Sequence, residues 1–281
     1  MKYRFFLTPV ATIAALAWLA LGAAQAVRAD EPKQHIDVGH LPQQATVVED
    51  VIVPVPSEVF GVLDKLGSPN WHEVLRTERP GVPGTRAEQA LLLGDVIAEG
   101  FVAVEAQDSE QVKDIGKTVL TLSKALGVQK AVVARSAAII QSADKKDWQQ
   151  VREELDGALT DVKQAMELLH DDELAQLVSL GGWLRGTEAL TQVVDRNYTK
   201  DSAGLLHQPV LLDYFDQRLS QMSPRLRANE AVAKIQKRLP EIRPLIGEAD
   251  TDISKQSVSQ IHDIVHDLVK AIAPTSLFSL P

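Results

Sequence analysis

The chain has 281 residues, no cysteine and a formal net charge of −9. The missing thiols exclude disulfides, thiolate metal sites, a cysteine nucleophile and a lipid anchor on an N-terminal cysteine. The negative charge disfavours nucleic acid and anionic lipid surfaces as partners, and a 45% hydrophobic content over this length suffices for one large domain or two small ones.

Residues 1–29 have the three-part layout of a secretory leader: Lys2 and Arg4, an apolar run from Phe5 to Ala26, then small residues. Cleavage is expected after Ala26 or after Ala29, the second favoured by the Asp30-Glu31-Pro32 that follows it. Pro9 and the many alanines argue against retention as a membrane span. Removal takes away Lys2, Arg4 and Arg28 and no acid, moving the charge from −9 to −12. The expected location is the periplasm or the exterior, with no transmembrane anchor after cleavage.

Residues 30–56 read as an extended arm containing His35, His40 and the β-branched run Val51-Ile52-Val53. Pro54 and Pro56 cannot donate to a ladder, so at most one short strand is expected there, outside any sheet. Residues 57–84 hold short helices and a linker. Ser57 caps a segment stopped by Gly67, Ser68-Pro69 opens another with proline at its first helical position, and Glu78 to Gly84, "ERPGVPG", is the break before the main body.

From residue 85 the pattern is helical. Thr85-x-x-Glu88 forms a capping box for a helix at 86–106. Further helices are expected at 109–126 with Gly127 as stop, at 128–142, and at 148–169 after an Asp147-x-x-Gln150 box. These four fill residues 85–170. A second four occupy 171–273: 172–195, 209–221 after Pro209, 230–243 kinked by Pro240, and 255–272, with 274–281 as a tail. The fold class is therefore all-α, about eight main helices in two bundle-like halves behind an extended arm. The order suggests an internal duplication, and "LLLGDVIAEG" and "VSLGGWLRG" share a leucine followed by glycine.

Gly182 and Gly186 lie one turn apart on one face of their helix, as Gly94 and Ala98 do on theirs. Each glycine costs about 1 kcal/mol of helix stability relative to alanine, a penalty that close packing of the two helices would offset. The competing reading is a cleft in which Trp183 supplies an apolar platform and Arg185 a fork for a carboxylate or phosphate.

His262-Asp263-Ile264-Val265-His266-Asp267 sets two histidines one turn apart, a spacing that can grip a metal ion and that resembles the HExxH element of zinc proteases. On the helical wheel Val258, Ile261, Val265, Leu268 and Ile272 form the buried face, the histidines border it, and the aspartates point outward, where neither could serve as a base. A ferritin-like dimetal centre would use Glu167-x-x-His170 and Asp263-x-x-His266 with inner carboxylates such as Glu99 and Glu188. Glu167, however, falls on the solvent side of its helix. Residues 225–243 carry a net charge of +4, with Lys234, Lys237 and Arg238 on one face. This strip either docks an anionic partner or pairs with acids of the chain itself, for which Glu153, Glu154 and Asp156 are available.

Neither a Gly-x-Ser-x-Gly elbow nor a phosphate loop is present. The reading that follows is an exported, non-catalytic helical binding or scaffold protein of the cell envelope, without a cofactor or catalytic residue, whose partner is an envelope protein or a small ligand. The alternative is a metal-binding protein or metal-dependent hydrolase using His262 and His266.

Overall fold

The computed structural model describes residues 46–48, 51–53, 69–76, 81–248 and 251–272. The leader and the segment that Ser57 opens lie outside these residues. Thr46–Val48 (β1) and Val51–Val53 (β2) form an antiparallel pair in the register Thr46↔Val53 and Val48↔Val51. This corrects the expectation of a single unpaired strand. The ladder stops at Val53, one residue before Pro54, so neither proline is asked for an N–H it lacks. β2 runs beside the helical body. Ser68-Pro69 does not open an α-helix; a 3₁₀ turn over Trp71–Glu73 follows it, with Trp71 and Val74 buried.

The eight main helices fall within a residue or two of their expected bounds, with one exception. The first half contains α1 (Arg86–Glu105), α2 (Ser109–Leu126), α3 (Gln129–Asp144) and α4 (Trp148–Leu168). The second contains α5 (Asp172–Arg196), α6 (Lys200–Gly204), α7 (Pro209–Gln221), α8 (Pro224–Arg227), α9 (Glu230–Arg238), α10 (Arg243–Ile246) and α11 (Lys255–Ile272). The exception is the helix expected at 230–243. Pro240 has no N–H to continue the ladder, and the chain passes after Arg238 into a 3₁₀ turn, Leu239–Ile242, before α10, so the helix breaks rather than kinks.

Side-chain caps start several of the helices, at Thr85 and Asp147 as the sequence implies and also at Asp108 and Asn229. Thr85, Asp108, Asp147 and Asn229 each accept from the backbone N–H three residues on. The reciprocal halves of the two boxes are used elsewhere: Glu88 takes a hydrogen bond from Asn229, and Gln150 donates to Glu154. Gly127 closes α2 in the left-handed conformation at φ 84°, with Val128 N–H donating to Ser123 C=O.

α1 is the centre of the molecule. Every residue from Ala90 to Val104 is buried, because α2, α4, α5 and α11 all lie against it. A helix enclosed in this way is apolar all round rather than striped. α2, α3 and α4 follow one another through short turns, and α4 returns to α1 and α5. α11 packs on α5, and α9 packs on α11. The two halves share one hydrophobic core.

The seam between them is the contact of α1 with α5. The two helices run in the same direction, in step from Arg86 beside Asp171 to Glu99 beside Arg185. At the closest point a Cβ on Gly94 would lie 1.8 Å from the Val178 carbonyl oxygen, and a Cβ on Gly181 would lie 1.9 Å from that of Leu91. Matching Leu93-Gly94 to Leu180-Gly181 places Leu91 opposite Val178, so the contact is reciprocal. Close packing is thus the answer to the glycines, at Gly94 as expected but at Gly181 rather than at Gly182 and Gly186. Gly182 is in ordinary contact with Gly94, and Gly186 faces open space.

Candidate functional site

Four turns of α1 carry two acids, Asp95 and Glu99, inside an otherwise apolar run, and both are about 1% exposed. Spaced four apart, they share one side of the helix. Opposite them α5 brings Arg185, also 1% exposed, and Glu188. Its guanidinium donates from Nε to Glu99 Oε2 at 2.6 Å, from Nη1 to Glu188 Oε2 at 3.1 Å and from Nη2 to the Val74 carbonyl at 2.8 Å. All three faces of the fork are used.

The segment before α1 closes this cluster. Arg76 donates its backbone N–H to Glu99 Oε1 at 2.8 Å and its Nη2 to Asp95 Oδ2 at 2.7 Å. Gln192 of α5 donates to the Glu73 carbonyl, and Arg196 pairs with the Glu73 carboxylate. On the other side of Glu188, Oε1 meets His266 Nδ1 of α11 at 2.6 Å. One chain of ion pairs and hydrogen bonds therefore runs from Arg76 through Glu99, Arg185 and Glu188 to His266 and joins four parts of the chain.

The acids respond differently to burial. Desolvation would raise the Glu99 pKa, yet the charges and hydrogen bonds of Arg185 and Arg76 outweigh it and hold the carboxyl below its ordinary value. Asp95 is pushed upward, because burial exceeds what Arg76 returns, and its Oδ1 has no hydrogen-bond partner among the described residues. Burial would lower the Arg76 pKa, but Asp95 and Glu99 more than offset it and hold it above the usual guanidinium value.

This geometry corrects the reading of Trp183 and Arg185 as the walls of a cleft. Arg185 points into the core with its donors occupied. Trp183, two residues back and on the opposite side of the helix, is only partly buried, donates Nε1–H to Gln208 at 2.9 Å, and its ring centroid lies 5.5 Å from that of Phe215. The open space at Gly186 is not bordered by a free guanidinium.

The dimetal pattern is half assembled. Glu99 and Glu188 do face inward from neighbouring helices, as the sequence suggested, but Arg185 lies between their carboxylates. Glu167 and His170 are exposed at the far end of α4. Asp263 is exposed, as the helical wheel implied. Asp267 pairs with Lys234 and Arg238, which hold its pKa below the usual range. Two members of the basic strip are thereby paired with acids of the chain, though with Asp267 and Glu241 rather than with Glu153, Glu154 and Asp156. Lys237 is exposed. Among the described residues no group of three or more histidine or carboxylate side chains is placed to share one metal ion.

A cleft of about 750 Å³ opens where α1, α5, α8 and α9 begin. Arg86, Glu88, Asp172, Arg225, Asn229 and Glu230 are among its lining residues. Arg86 crosses to Asp171 at 2.7 Å, and Glu173 accepts from both the N–H and the hydroxyl of Ser223. Acids in the first turns of helices complement the helix dipoles, which accounts for their number here. This cleft was not legible in the sequence, since its lining comes from three segments far apart along the chain, around residues 85–88, 170–174 and 223–230.

No protein-family model, curated protein or solved structure matches this chain. The fold is all-helical, and among the described residues no helix is long and apolar enough to cross a membrane.

Proposed function

We propose that the chain is an exported, non-catalytic binding or scaffold protein of the cell envelope, and that the cleft at the starts of α1, α5, α8 and α9 receives its ligand or partner. The observation that carries this reading is where the ionisable groups go. Asp95, Glu99, Arg185 and Glu188, which could have served a reaction, are buried and paired with one another or with Arg76, while the 750 Å³ recess presents charges of both signs on helix ends. That volume falls within the range of small-ligand sites. The leader-like residues 1–29 support export.

Two measurements test the proposal. Mass spectrometry of the native protein is expected to find an N-terminus at Val27 or Asp30; a membrane-retained form beginning at Met1 would refute export. A photo-crosslinking residue at Arg225 is expected to capture an envelope component that the same residue at exposed Lys145 does not. Equal yields at both positions would remove the cleft from the proposal.

A further inference from the structure

We propose that His262 and His266 together form a binding site for one divalent first-row transition-metal ion, held through their Nε2 atoms on the edge of α11. The two imidazoles are one turn apart, with ring centroids at 5.7 Å and planes inclined by only 16°. Each points Nδ1 at α5: His266 to Glu188 Oε1 at 2.6 Å, His262 to Thr191 Oγ1 at 3.1 Å.

The partners fix which nitrogen carries the proton. Glu188 receives Arg185 on its other oxygen and acts only as an acceptor, so His266 donates from Nδ1. The Thr191 hydroxyl has one hydrogen, directed at the carbonyls of Thr187 and Glu188 at 2.8 and 2.9 Å, and so it must accept from His262. Both rings are therefore Nδ1–H tautomers, with their Nε2 lone pairs on the side away from α5. This is the ligand-competent form, and a carboxylate or hydroxyl behind the ring is the usual support of a metal-bound histidine.

The His266 side chain is 45% exposed, so an ion and its waters can approach. A metal–nitrogen bond of about 2.0–2.1 Å from each ring requires the two stacked rings to turn so that their Nε2 atoms converge on the ion. The donor set selects the ion. Asp263 points elsewhere and Asp267 is tied to Lys234 and Arg238, so no carboxylate is supplied and magnesium or calcium is not accommodated. Two imidazoles suit zinc, nickel and copper, with copper(II) the tightest. Water completes the coordination.

The test is calorimetric titration of the untagged protein with zinc(II), nickel(II) and copper(II), with magnesium(II) as the blank. One transition-metal ion per chain is expected, with affinity falling at least tenfold in His262→Gln and in His266→Gln. Thr191→Val and Glu188→Gln, which leave both ligands in place, are expected to weaken binding about tenfold or more by releasing the rings. If Glu188→Gln unfolds in a thermal melt, Thr191→Val carries the same test. Absence of binding, binding that survives the double histidine variant, or unchanged affinity in folded Thr191→Val and Glu188→Gln would overturn the proposal.

Discussion

Replacing Gly181 by alanine sets two effects of opposite sign against each other. Alanine is the better helix former by about 1 kcal/mol. Its Cβ, however, would stand 1.9 Å from the Leu91 carbonyl oxygen, whereas real Cβ contacts under 3.0 Å are essentially never seen. The obstacle is helix backbone, which has no rotamer to change, so α1 and α5 must separate by roughly 1 Å where they cross. A gap of that size forfeits about a quarter to a half of the dispersion energy of the atoms it parts, and overpacking of this kind costs about 1–3 kcal/mol or more. Because the seam lies at the centre of the core, we expect a net loss of about 2 kcal/mol, a fall of about 4–8 °C in melting temperature for a chain of this size. Gly94→Ala should behave alike, its Cβ lying 1.8 Å from Val178 O. The double variant should cost less than the sum, since one separation relieves both clashes. Gly186→Ala meets nothing within 4 Å and should gain about 0.5–1 kcal/mol. Thermal and urea unfolding followed by circular dichroism measure all four. A Gly181→Ala protein as stable as the parent, or a Gly186→Ala protein as damaged as Gly181→Ala, would refute the packing argument.

The buried charges give further expectations. Glu99→Gln leaves Arg185 and Arg76 without their shared carboxylate and should cost about 3–5 kcal/mol in urea unfolding. Asp95→Asn removes a charge whose burial is only partly compensated and should change stability by no more than about 1 kcal/mol. These variants should also bend the acid limb in opposite directions. The lowered Glu99 pKa contributes stability that is complete above its ordinary value of 4.5 and lost as pH falls through the folded value, so Glu99→Gln flattens the limb. The raised Asp95 pKa favours the fold increasingly as pH falls toward its ordinary value of 3.8, so Asp95→Asn steepens it. Parallel acid limbs for both would contradict the assignment. Asp267→Asn should release Lys234 and leave Arg238 with Glu241 alone, lengthening retention on a heparin column while changing stability by less than about 1 kcal/mol. Unchanged retention would mean that the strip was never masked by that acid.

What could be read from the sequence was local. Caps at Thr85 and Asp147 and the stop at Gly127 act within four residues, and they placed helix boundaries well; the caps at Asp108 and Asn229 were not picked out. The glycine argument correctly joined α1 to α5 but chose Gly186, because a helical wheel shows which residues share a face and not where two helices cross. The ion network escaped because its partners are distant in sequence: Arg185 reaches Glu99 across 86 residues and Val74 across 111. A signal was nevertheless present. Asp95 and Glu99 interrupt an apolar run on every side, as Arg185 does in its own helix, and charges so placed in a buried helix require partners. That rule would have sent Arg185 inward rather than toward a ligand.

The position of α1 also sets an order of events in folding. Among the described residues it is the first long helix to be synthesised, yet the surface that encloses it includes α5 and α11, the last of which begins 150 residues after α1 ends. Until α5 arrives, the newly made chain carries an apolar helix with two acids and no Arg185 to neutralise them. A fragment ending at residue 170 should therefore be a collapsed, aggregation-prone intermediate rather than half of a protein. The seam that joins α1 to α5 is the one that delays completion of the core, since the chain cannot close it until its second half has followed.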